Sequence, residues 1–363
     1  MLLSIVIPYF NAGKYIYTAV QSILDACVQD APYEIIIIND ASDAPNTQQL
    51  QDIYQRCWQH SEVPVRIETL AENQGLSGAR NHGIQIAQGE YVFTLDADDY
   101  VNKKAFIKVL TDVKNLNMDM VFFGSYWYEK DHAWGMQGFK FEPKAEVAVD
   151  QTVIASYINA QTFYAWRFIA KRELLLQVPY PPRLYMEDVA TSTPLLSRAK
   201  TIWYEPEHVV YYRQNPNSIM KVWTEKKSFD FLTTVQMLRE RLQLSEPMSP
   251  VLTDAYFGLT CKAYLWACAD AIRHKLPDAI GVCARIKATH AQMFGKITPS
   301  HWSKITSLLD RRQAVSFGLL YYSPRLYQTA LKAKQKFLPK KSNRSIYMTQ
   351  TALAPNTRDR LDS

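Results

Sequence analysis

Residues 72–99 read ENQGLSGARNHGIQIAQGEYVFTLDADD, and this stretch decides the fold. Its first half has apolar residues at helical spacing, with Ile84 and Ala87 on one face. A short apolar strand over residues 91–95 follows and runs directly into Asp96-Ala97-Asp98-Asp99. Open α/β sheets bind their ligands at the carboxyl ends of strands, so this order predicts a binding site at the acidic cluster.

Strand-like and helix-like segments alternate from the N-terminus to about residue 125. Apolar runs predict strands over residues 3–8, 34–39, 65–70, 91–95 and 120–123. The four consecutive isoleucines at 35–38 are typical of a strand that is buried on both faces. A βαβα order of this kind predicts a mostly parallel sheet that is covered by helices.

The acidic cluster at the end of the fourth strand holds three carboxylates within four residues and has no basic neighbour in the sequence. Their mutual repulsion makes it costly to bury them together unless a cation is bound. A divalent metal that carries a diphosphate is such a partner, because hard cations take oxygen ligands and bridge phosphates. The alternative is an exposed acidic turn that needs no ligand.

Five segments together resemble glycosyltransferase family 2, an inverting family with the GT-A fold. They are SIVIPYFNAGKYI at 4–16, IIIINDASDAP at 35–45, the stretch at 72–99, MEDV at 186–189 and YYRQNPNSIM at 211–220. The resemblance covers about residues 3–220. It implies a Rossmann-like α/β fold, with a mostly parallel sheet, helices on both faces and a helical region after it.

Carried over position by position, the resemblance implies a site for a UDP-sugar donor. Asp40 would accept a hydrogen bond from uracil, Arg80 would lie near the base or the diphosphate, and Asp98 would ligate Mn²⁺ or Mg²⁺. Taken singly, Asp40 is as consistent with a helix cap, and Arg80 with an ion pair to a helix-face acid. The expected donor-site residues are Pro8, Tyr9, Asn11, Asp40, Asn73, Arg80, Asp96, Ala97 and Arg213, with Asp96 and Asp98 as metal ligands.

A second acidic pair, Glu187-Asp188, lies about ninety residues after the first cluster and precedes an apolar helical pattern. Its spacing matches the ED motif of the family, which implies that Asp188 is the base and Glu187 a supporting or acceptor-binding residue. A carboxylate at this place can take the proton of the attacking hydroxyl, a role worth roughly 10²- to 10⁴-fold in rate. The alternative is a helix N-terminus that is favoured by its dipole.

The 363 residues predict a catalytic domain with an appended helical region. We expect a GT-A domain over 1–225, whose nucleotide-sugar half ends near 125 and whose acceptor half, 126–225, includes an irregular insertion at 126–165. A helical subdomain would follow over 226–322, then a basic amphipathic helix over 323–341 and a disordered tail over 342–363. The five cysteines form no CxxC and predict neither a disulfide framework nor a zinc site.

The net charge of +6 is concentrated in residues 311–363, which hold 11 Lys and Arg against 2 Asp and Glu. The rest of the chain is therefore slightly acidic, which argues against a nucleic-acid partner. A basic tail can hold a protein against anionic lipid, although a solvated tail explains the charge equally well. Since the N-terminus lacks a basic leader, we expect a cytoplasmic protein with peripheral contact to the inner face of the membrane.

These observations predict an inverting transfer of a hexose or N-acetylhexosamine from a UDP-sugar to a glycan or lipid-linked oligosaccharide acceptor. By resemblance, the setting is bacterial surface polysaccharide or lipooligosaccharide synthesis. The absence of GxGxxG, GxxxxGK[ST] and GxSxG motifs argues against dinucleotide, P-loop and hydrolase chemistry. A sugar-phosphate nucleotidyltransferase and a non-catalytic membrane-associated scaffold remain the alternatives. The sequence leaves the oligomeric state open.

Overall fold

The computed structural model describes residues 1–26, 31–129, 132–136, 138, 141–215 and 222–337. These residues form a ten-stranded mixed sheet with helices on both faces, followed by further helices. The strands are β1 (Leu3–Tyr9), β2 (Tyr33–Asn39), β3 (Val65–Thr69), β4 (Tyr91–Thr94), β5 (Tyr100–Val101), β6 (Met120–Glu129), β7 (His132–Gly135), β8 (Glu146–Ala148), β9 (Phe168–Lys171) and β10 (Thr201–Arg213). The helices are α1 (Tyr15–Leu24), α2 (Ala44–Ile53), α3 (Gly75–Ile86), α4 (Lys103–Leu116), α5 (Gln151–Ala160), α6 (Arg172–Gln177), α7 (Val189–Leu196), α8 (Glu225–Arg241), α9 (Pro250–Arg273), α10 (Ala279–Phe294), α11 (Trp302–Leu308), α12 (Arg311–Tyr322) and α13 (Pro324–Phe337).

The strand order is β3-β2-β1-β4-β9-β6-β10-β5, with β7 paired to β6 and β8 paired to β10. The strands β3, β2, β1 and β4 are mutually parallel, whereas β9 is antiparallel to both of its neighbours. The predicted mostly parallel α/β sheet is confirmed. Because β1, β2 and β4 run in the same direction, the residues that follow them meet at one edge of the sheet.

Both faces of the sheet are covered, which explains the continuous apolar runs in its strands. In β1, Val6 packs into one core, whereas Ile5 and Ile7 pack into the other. In β2, Ile36 and Ile38 face the first core. The helices α1 and α4 pack against one face of the sheet, and α3, α5 and α7 pack against the other.

The helical region that the sequence predicts after the catalytic domain is confirmed. The helices α8 to α12 share a continuous hydrophobic core with the sheet face that α3 covers. The basic amphipathic helix that the sequence predicts over 323–341 corresponds to α13. Its residues Tyr327 and Leu331 pack against the core, whereas Leu326 is 60% exposed. Residues 216–220 of the fifth motif, and the chain from 338 onwards, lie outside the described residues.

The prediction of an irregular insertion at 126–165 is wrong. Strand β6 continues to Glu129, the short strands β7 and β8 pair at its sides, and α5 follows. The aromatic residues that suggested irregularity pack on the sheet, as Trp127 does with an exposed fraction of 3%. Pairing with β10, about eighty residues later, is what extends β6, and a local pattern does not predict such a partner.

Four cysteines in the described part of the chain are free, and Cys57 alone among them is exposed. Cys27 lies outside the described residues. Among the helices that the structure describes, none has both the length and the apolar character needed to cross a bilayer.

The close packing of α3 on β1 and β2 depends on Gly83. A Cβ atom at this position would overlap the Val6 side chain and lie 3.2 Å from Ile38. We predict that Gly83→Ala lowers the free energy of unfolding by about 1–3 kcal/mol, since overpacking outweighs the gain in helix propensity of about 1 kcal/mol. Urea denaturation measures this change.

Gly258→Ala in α9 is the matched control, because the nearest atom to its new Cβ would be Leu308 Cβ at 3.6 Å, an ordinary contact. This variant should be as stable as the wild type or more stable. Equal stability changes in the two variants would contradict the packing of α3 described above.

Candidate active site

A cavity of about 690 Å³ opens at the edge of the sheet where β1, β2 and β4 end. Its lining includes every residue that the sequence predicted for the donor, the metal and the base. These residues are Pro8, Tyr9, Asn11, Asp40, Asn73, Arg80, Asp96, Ala97, Asp98, Glu187, Asp188 and Arg213. The fold therefore brings the two acidic motifs into one cavity, although about ninety residues separate them in the sequence.

The turn after β4 places its carboxylates in different environments. Asp99 is fully buried, and its Oδ1 accepts a hydrogen bond from the backbone N–H of Arg213 at 2.8 Å. Asp98 is half-buried and faces the cavity, where its Oδ2 accepts a hydrogen bond from the Asn215 amide at 3.3 Å. Burial, together with the nearby charge of Asp96, raises the pKa of Asp98, and burial raises the pKa of Asp99 well above its usual range.

The cluster has no basic neighbour in the sequence, but the fold brings Arg80 and Arg213 to it. Arg80 in α3 lies 2.7 Å from Asp96 through Nη2 and 2.5 Å from Glu187 through Nη1. Arg213 donates from Nε to the Asp98 backbone carbonyl at 2.8 Å. Arg80 pairs with acids, as the alternative interpretation held, but these acids belong to the two predicted catalytic motifs.

Asp188 is the N-cap residue of α7, where its Oδ1 accepts a hydrogen bond from the Val189 backbone N–H at 2.9 Å. Burial, and then the neighbouring Glu187, raise the pKa of Asp188 to about 7, and the charge of Arg80 opposes this shift. A carboxyl group with a pKa near neutrality exchanges a proton readily at physiological pH. Asp188, which the sequence predicts as the catalytic base, therefore also caps the N-terminus of a helix, as the alternative interpretation held.

Asp40 lies at the end of β2 and is 3% exposed. Its two carboxylate oxygens accept hydrogen bonds from the backbone N–H groups of Gln74 (2.7 Å) and Gly75 (2.8 Å), where α3 begins. The side chain of Asn73 donates to the Asp40 backbone carbonyl at 3.0 Å. Asp40 thus caps a helix while it lines the cavity, and each of its oxygens keeps a second lone pair for a ligand.

The loop after β1 is tied to the loop after β2 at the same end of the cavity. Asn11 has a left-handed backbone (φ 49°), and its Oδ1 accepts a hydrogen bond from the Asp43 backbone N–H at 3.0 Å. Tyr9 is buried, and its hydroxyl donates to the Asn46 carbonyl at 3.1 Å. Since its hydroxyl is engaged there, Tyr9 lines the cavity without offering that group to a ligand.

Sequence reasoning missed several residues that position the site. Asn81 exchanges hydrogen bonds with the backbone of Tyr180 at 2.8 and 2.9 Å. Asp230 in α8 accepts a hydrogen bond from the Tyr185 backbone N–H at 3.0 Å, and Lys226 pairs with Asp230. Asn81 could have been identified as a candidate, because it lies inside the stretch at 72–99. The contacts from α8 could not, because nothing in the sequence near Asp230 or Lys226 indicates them.

Comparison with known proteins decides the family. The family model described as Glycosyl transferase family 2 matches residues 4–175. The putative teichuronic acid biosynthesis glycosyltransferase TuaG of Bacillus subtilis is 31% identical over 233 residues, which cover 60% of this chain and 81% of TuaG. The chain belongs to glycosyltransferase family 2. The predicted family is confirmed.

Other relatives of this family 2 glycosyltransferase extend the comparison. EpsJ of Bacillus subtilis, an uncharacterized glycosyltransferase, is 27% identical over 229 residues, which cover 61% of this chain and only 63% of EpsJ. In structure, residues 1–349 of S. aureus TarS in complex with UDP-GlcNAc superpose with a TM-score of 0.68 at 16% identity, covering 93% of this chain and 92% of the TarS chain. At this low identity the superposition establishes the GT-A fold alone.

The carboxylates that line the cavity fit a divalent metal that also binds a diphosphate. Within the described residues, no group of three or more His, Cys, Asp or Glu side chains is arranged to hold a metal unaided. Magnesium-type sites commonly use only one or two carboxylates and complete their shell with phosphate oxygens and water. Asp98 meets this requirement, because its carboxylate faces the cavity, and its pKa is raised first by burial and then by the nearby negative charge of Asp96.

The raised pKa of Asp188 predicts a pH-dependent cost to stability. The carboxyl titrates near 7 in the fold and near 3.9 when unfolded, so the folded state binds this proton more tightly and stability falls as pH rises between these values. We predict that Asp188→Asn, which keeps a capping group, becomes progressively more stable relative to the wild type from pH 5 to pH 8. Thermal denaturation across this range measures the difference.

Asp150→Asn is the matched control, since Asp150 is the exposed N-cap residue of α5. The difference between this variant and the wild type should stay constant over the same pH range. A constant difference for Asp188→Asn as well would contradict the raised pKa.

Proposed function

We propose that this family 2 enzyme transfers a hexose or N-acetylhexosamine from a UDP-sugar to a glycan hydroxyl with inversion at the anomeric carbon. One observation carries the proposal: a single cavity is lined by Asp98 at the end of β4 and by Asp188 at the start of α7. One carboxylate suits the diphosphate and its metal, and the other suits the attacking hydroxyl. An in-line displacement needs both groups, on opposite sides of the reacting carbon.

The donor is assigned as a UDP-sugar because the sheet edge resembles the part of the fold that holds nucleotides. The similar TarS chain was crystallised with UDP-GlcNAc. In the proposal, Asp40 and Asn73 lie at the uracil base of the donor, whereas Arg213 lies toward the diphosphate. Arg213 suits this role because, among the described residues, Nε alone of its guanidinium nitrogens donates a hydrogen bond, to the Asp98 carbonyl. Three tyrosine rings lie 5.1–5.5 Å from its guanidinium carbon.

A divalent metal, Mn²⁺ or Mg²⁺, would be held by Asp98, with Asp96 supporting it directly or through water. When bound, it supplies Lewis-acid stabilisation of the negative charge on the departing diphosphate. Asp96 is already paired with Arg80, so Asp98 is the better candidate for a direct ligand. The buried Asp99 fixes the end of β10 through Arg213 and is assigned no contact with metal.

Asp188 is the proposed base. Its pKa of about 7 makes it ionised in a large fraction of molecules at neutral pH, while it retains enough basicity to take a proton from a hydroxyl. As the acceptor oxygen bonds to the anomeric carbon, its proton passes to Asp188 Oδ, and the bond between the anomeric carbon and the diphosphate oxygen breaks. UDP leaves with that electron pair, and the glycoside has the opposite configuration.

The acceptor side of the cavity has an aromatic wall that consists of Tyr164, Trp166 and Tyr212. The rings of Tyr164 and Trp166 are stacked at 4.8 Å, and those of Trp166 and Tyr212 at 5.2 Å. Trp166 is 2% exposed and supports the other two rings. Tyr164 and Tyr212 are partly exposed, and flat apolar faces of this kind suit a sugar ring, whose C–H groups pack on aromatic carbon. Together with TuaG and with TarP, a poly(ribitol-phosphate) N-acetylglucosaminyltransferase from Staphylococcus aureus, this wall supports an acceptor in cell-surface polysaccharide or lipooligosaccharide synthesis.

The proposal predicts that the wild type releases UDP from a UDP-sugar in the presence of Mn²⁺. Incubation with UDP-glucose and UDP-N-acetylglucosamine, followed by product chromatography, tests it. Asp98→Ala should lose the Mn²⁺-dependent part of UDP affinity in calorimetry. Asp188→Asn should keep that affinity and lose roughly 10²- to 10⁴-fold in kcat.

Three results would argue against the assignment. Pyrophosphate as the product would favour a sugar-phosphate nucleotidyltransferase, and no product from any UDP-sugar would favour a non-catalytic scaffold. Wild-type turnover in Asp188→Asn would move the base elsewhere, with Glu187 as the first candidate.

Peripheral contact with an anionic membrane is proposed for the surface of α12 and α13. Residues 311–337 contain six Lys and Arg and no Asp or Glu. Val315, Tyr322 and Leu326 on these helices are 58%, 63% and 60% exposed. Exposed apolar groups among cations bind anionic lipid reversibly, and each cation near the lipid contributes about 1 kcal/mol.

We predict that the double variant Arg325→Glu/Lys332→Glu floats less with phosphatidylglycerol liposomes than the wild type does, and that salt weakens wild-type flotation. The double variant Lys103→Glu/Lys104→Glu, on exposed positions of α4, changes the charge equally and should float like the wild type. Equal loss in both variants would reduce the effect to net charge and exclude this surface as the contact.

A further inference from the structure

Arg80 connects the side of the cavity that is proposed to hold the donor with the side that holds Asp188, the proposed catalytic base. From α3, its Nη2 reaches Asp96 after β4 at 2.7 Å, and its Nη1 reaches Glu187 before α7 at 2.5 Å. The side chain of Arg80 is 4% exposed and that of Glu187 is 11% exposed. The pair with Glu187 is therefore shielded from solvent and screened little by dissolved salt, whereas Asp96, in the other pair, is 25% exposed.

We infer that Arg80 is a positioning residue that fixes Asp188 relative to the donor, and not a residue that binds the donor. The inference rests on the proposed function, since it assumes that Asp188 is the base. It departs from the expectation drawn from the sequence, in which Arg80 lies near the uracil base or the diphosphate of the donor. The two terminal nitrogens of Arg80 are each engaged by a protein carboxylate, one from each acidic motif.

The geometry of arginine explains why this residue suits the task. A guanidinium is planar and rigid, so its two Nη atoms hold two carboxylates at a set separation and in a set plane. A lysine ammonium is a compact point charge that cannot impose this spacing. The separation of Asp96 from Glu187, and with it the place of Asp188, is therefore set by one side chain.

The neighbouring residue in α3 holds the same segment. Asn81 exchanges two hydrogen bonds with the backbone of Tyr180, and the guanidinium carbon of Arg80 lies 5.3 Å from the Tyr180 ring centroid. At the other end of the segment, Met186 has a left-handed backbone with φ 59°. A non-glycine residue keeps such a conformation only where its surroundings determine it, so residues 180–187 are held in place by α3.

Loss of this link should lower the rate and leave donor affinity largely unchanged. A displacement of about 1 Å in a reacting group can cost on the order of 10²-fold in rate. A residue that contacts the donor would instead change KM and UDP affinity. A residue that only stabilises the fold would change neither value at a temperature where the variant is folded.

The test uses Arg80→Lys, Glu187→Gln, the double variant and the control Arg172→Lys. Arg172 also holds α3, but it donates to the backbone carbonyls of Ile84 and Gln85 and touches neither acidic motif. For each variant, kcat and KM for UDP release from UDP-N-acetylglucosamine are measured with Mn²⁺, and UDP affinity is measured by calorimetry.

Arg80→Lys and Glu187→Gln should each lower kcat roughly 10- to 100-fold, while UDP affinity stays within about twofold of the wild type. The double variant should be no slower than the slower single variant, because both substitutions break one link. Arg172→Lys should retain wild-type kcat.

Weaker UDP binding with unchanged kcat in Arg80→Lys would overturn the inference, as would additive losses in the double variant. If Arg80→Lys does not fold, an unchanged kcat in Glu187→Gln overturns it. A wild-type enzyme that releases no UDP contradicts the proposed function itself.

Discussion

An excess of carboxylate over cationic charge is the constraint on which the site depends. Asp96, Asp98, Asp99, Glu187 and Asp188 share one region, where Arg80 and Arg213 make contacts with the acidic motifs. Arg183 and Lys226 also line the cavity. Burial and mutual repulsion raise the pKa of Asp98, Asp99 and Asp188. Such an arrangement costs stability in the free protein, and a bound cation lowers that cost.

The parallel sheet makes this arrangement possible. Three strands that run in the same direction end at one edge of the sheet, so Tyr9, Asp40 and the turn after β4 meet there. The sequence of the chain that connects these strands does not have to determine this. The amide groups at the start of α3 hold Asp40, and the same helix carries Arg80. Helix α3 therefore connects Asp40 to both acidic motifs, and its close packing on β1 at Gly83 fixes the helix against the sheet.

Much of the donor side could be predicted because its signals are local. The strand over 91–95 and the acids after it are adjacent in sequence, and the run of isoleucines in β2 predicts a buried strand. The partners of Arg80 could not be predicted in this way, because Glu187 is 107 residues away. The same limit explains β6, whose length depends on pairing with β10, and the inward side of α13, which depends on a core formed by α10 and α12.

The acceptor side, in contrast, is assembled from contacts between distant elements. The segment at 180–187 is held by Asn81 and Arg80 from α3 and by Asp230 from α8. Since α8 belongs to the helices after the sheet and shares their hydrophobic core, Asp188, the proposed base, is positioned partly by the helical region. Changes in that region can therefore move Asp188 and reshape the proposed acceptor side while the motifs at the ends of the strands stay the same. This separation explains why the sequence motifs suggest a class of donor and say little about the acceptor.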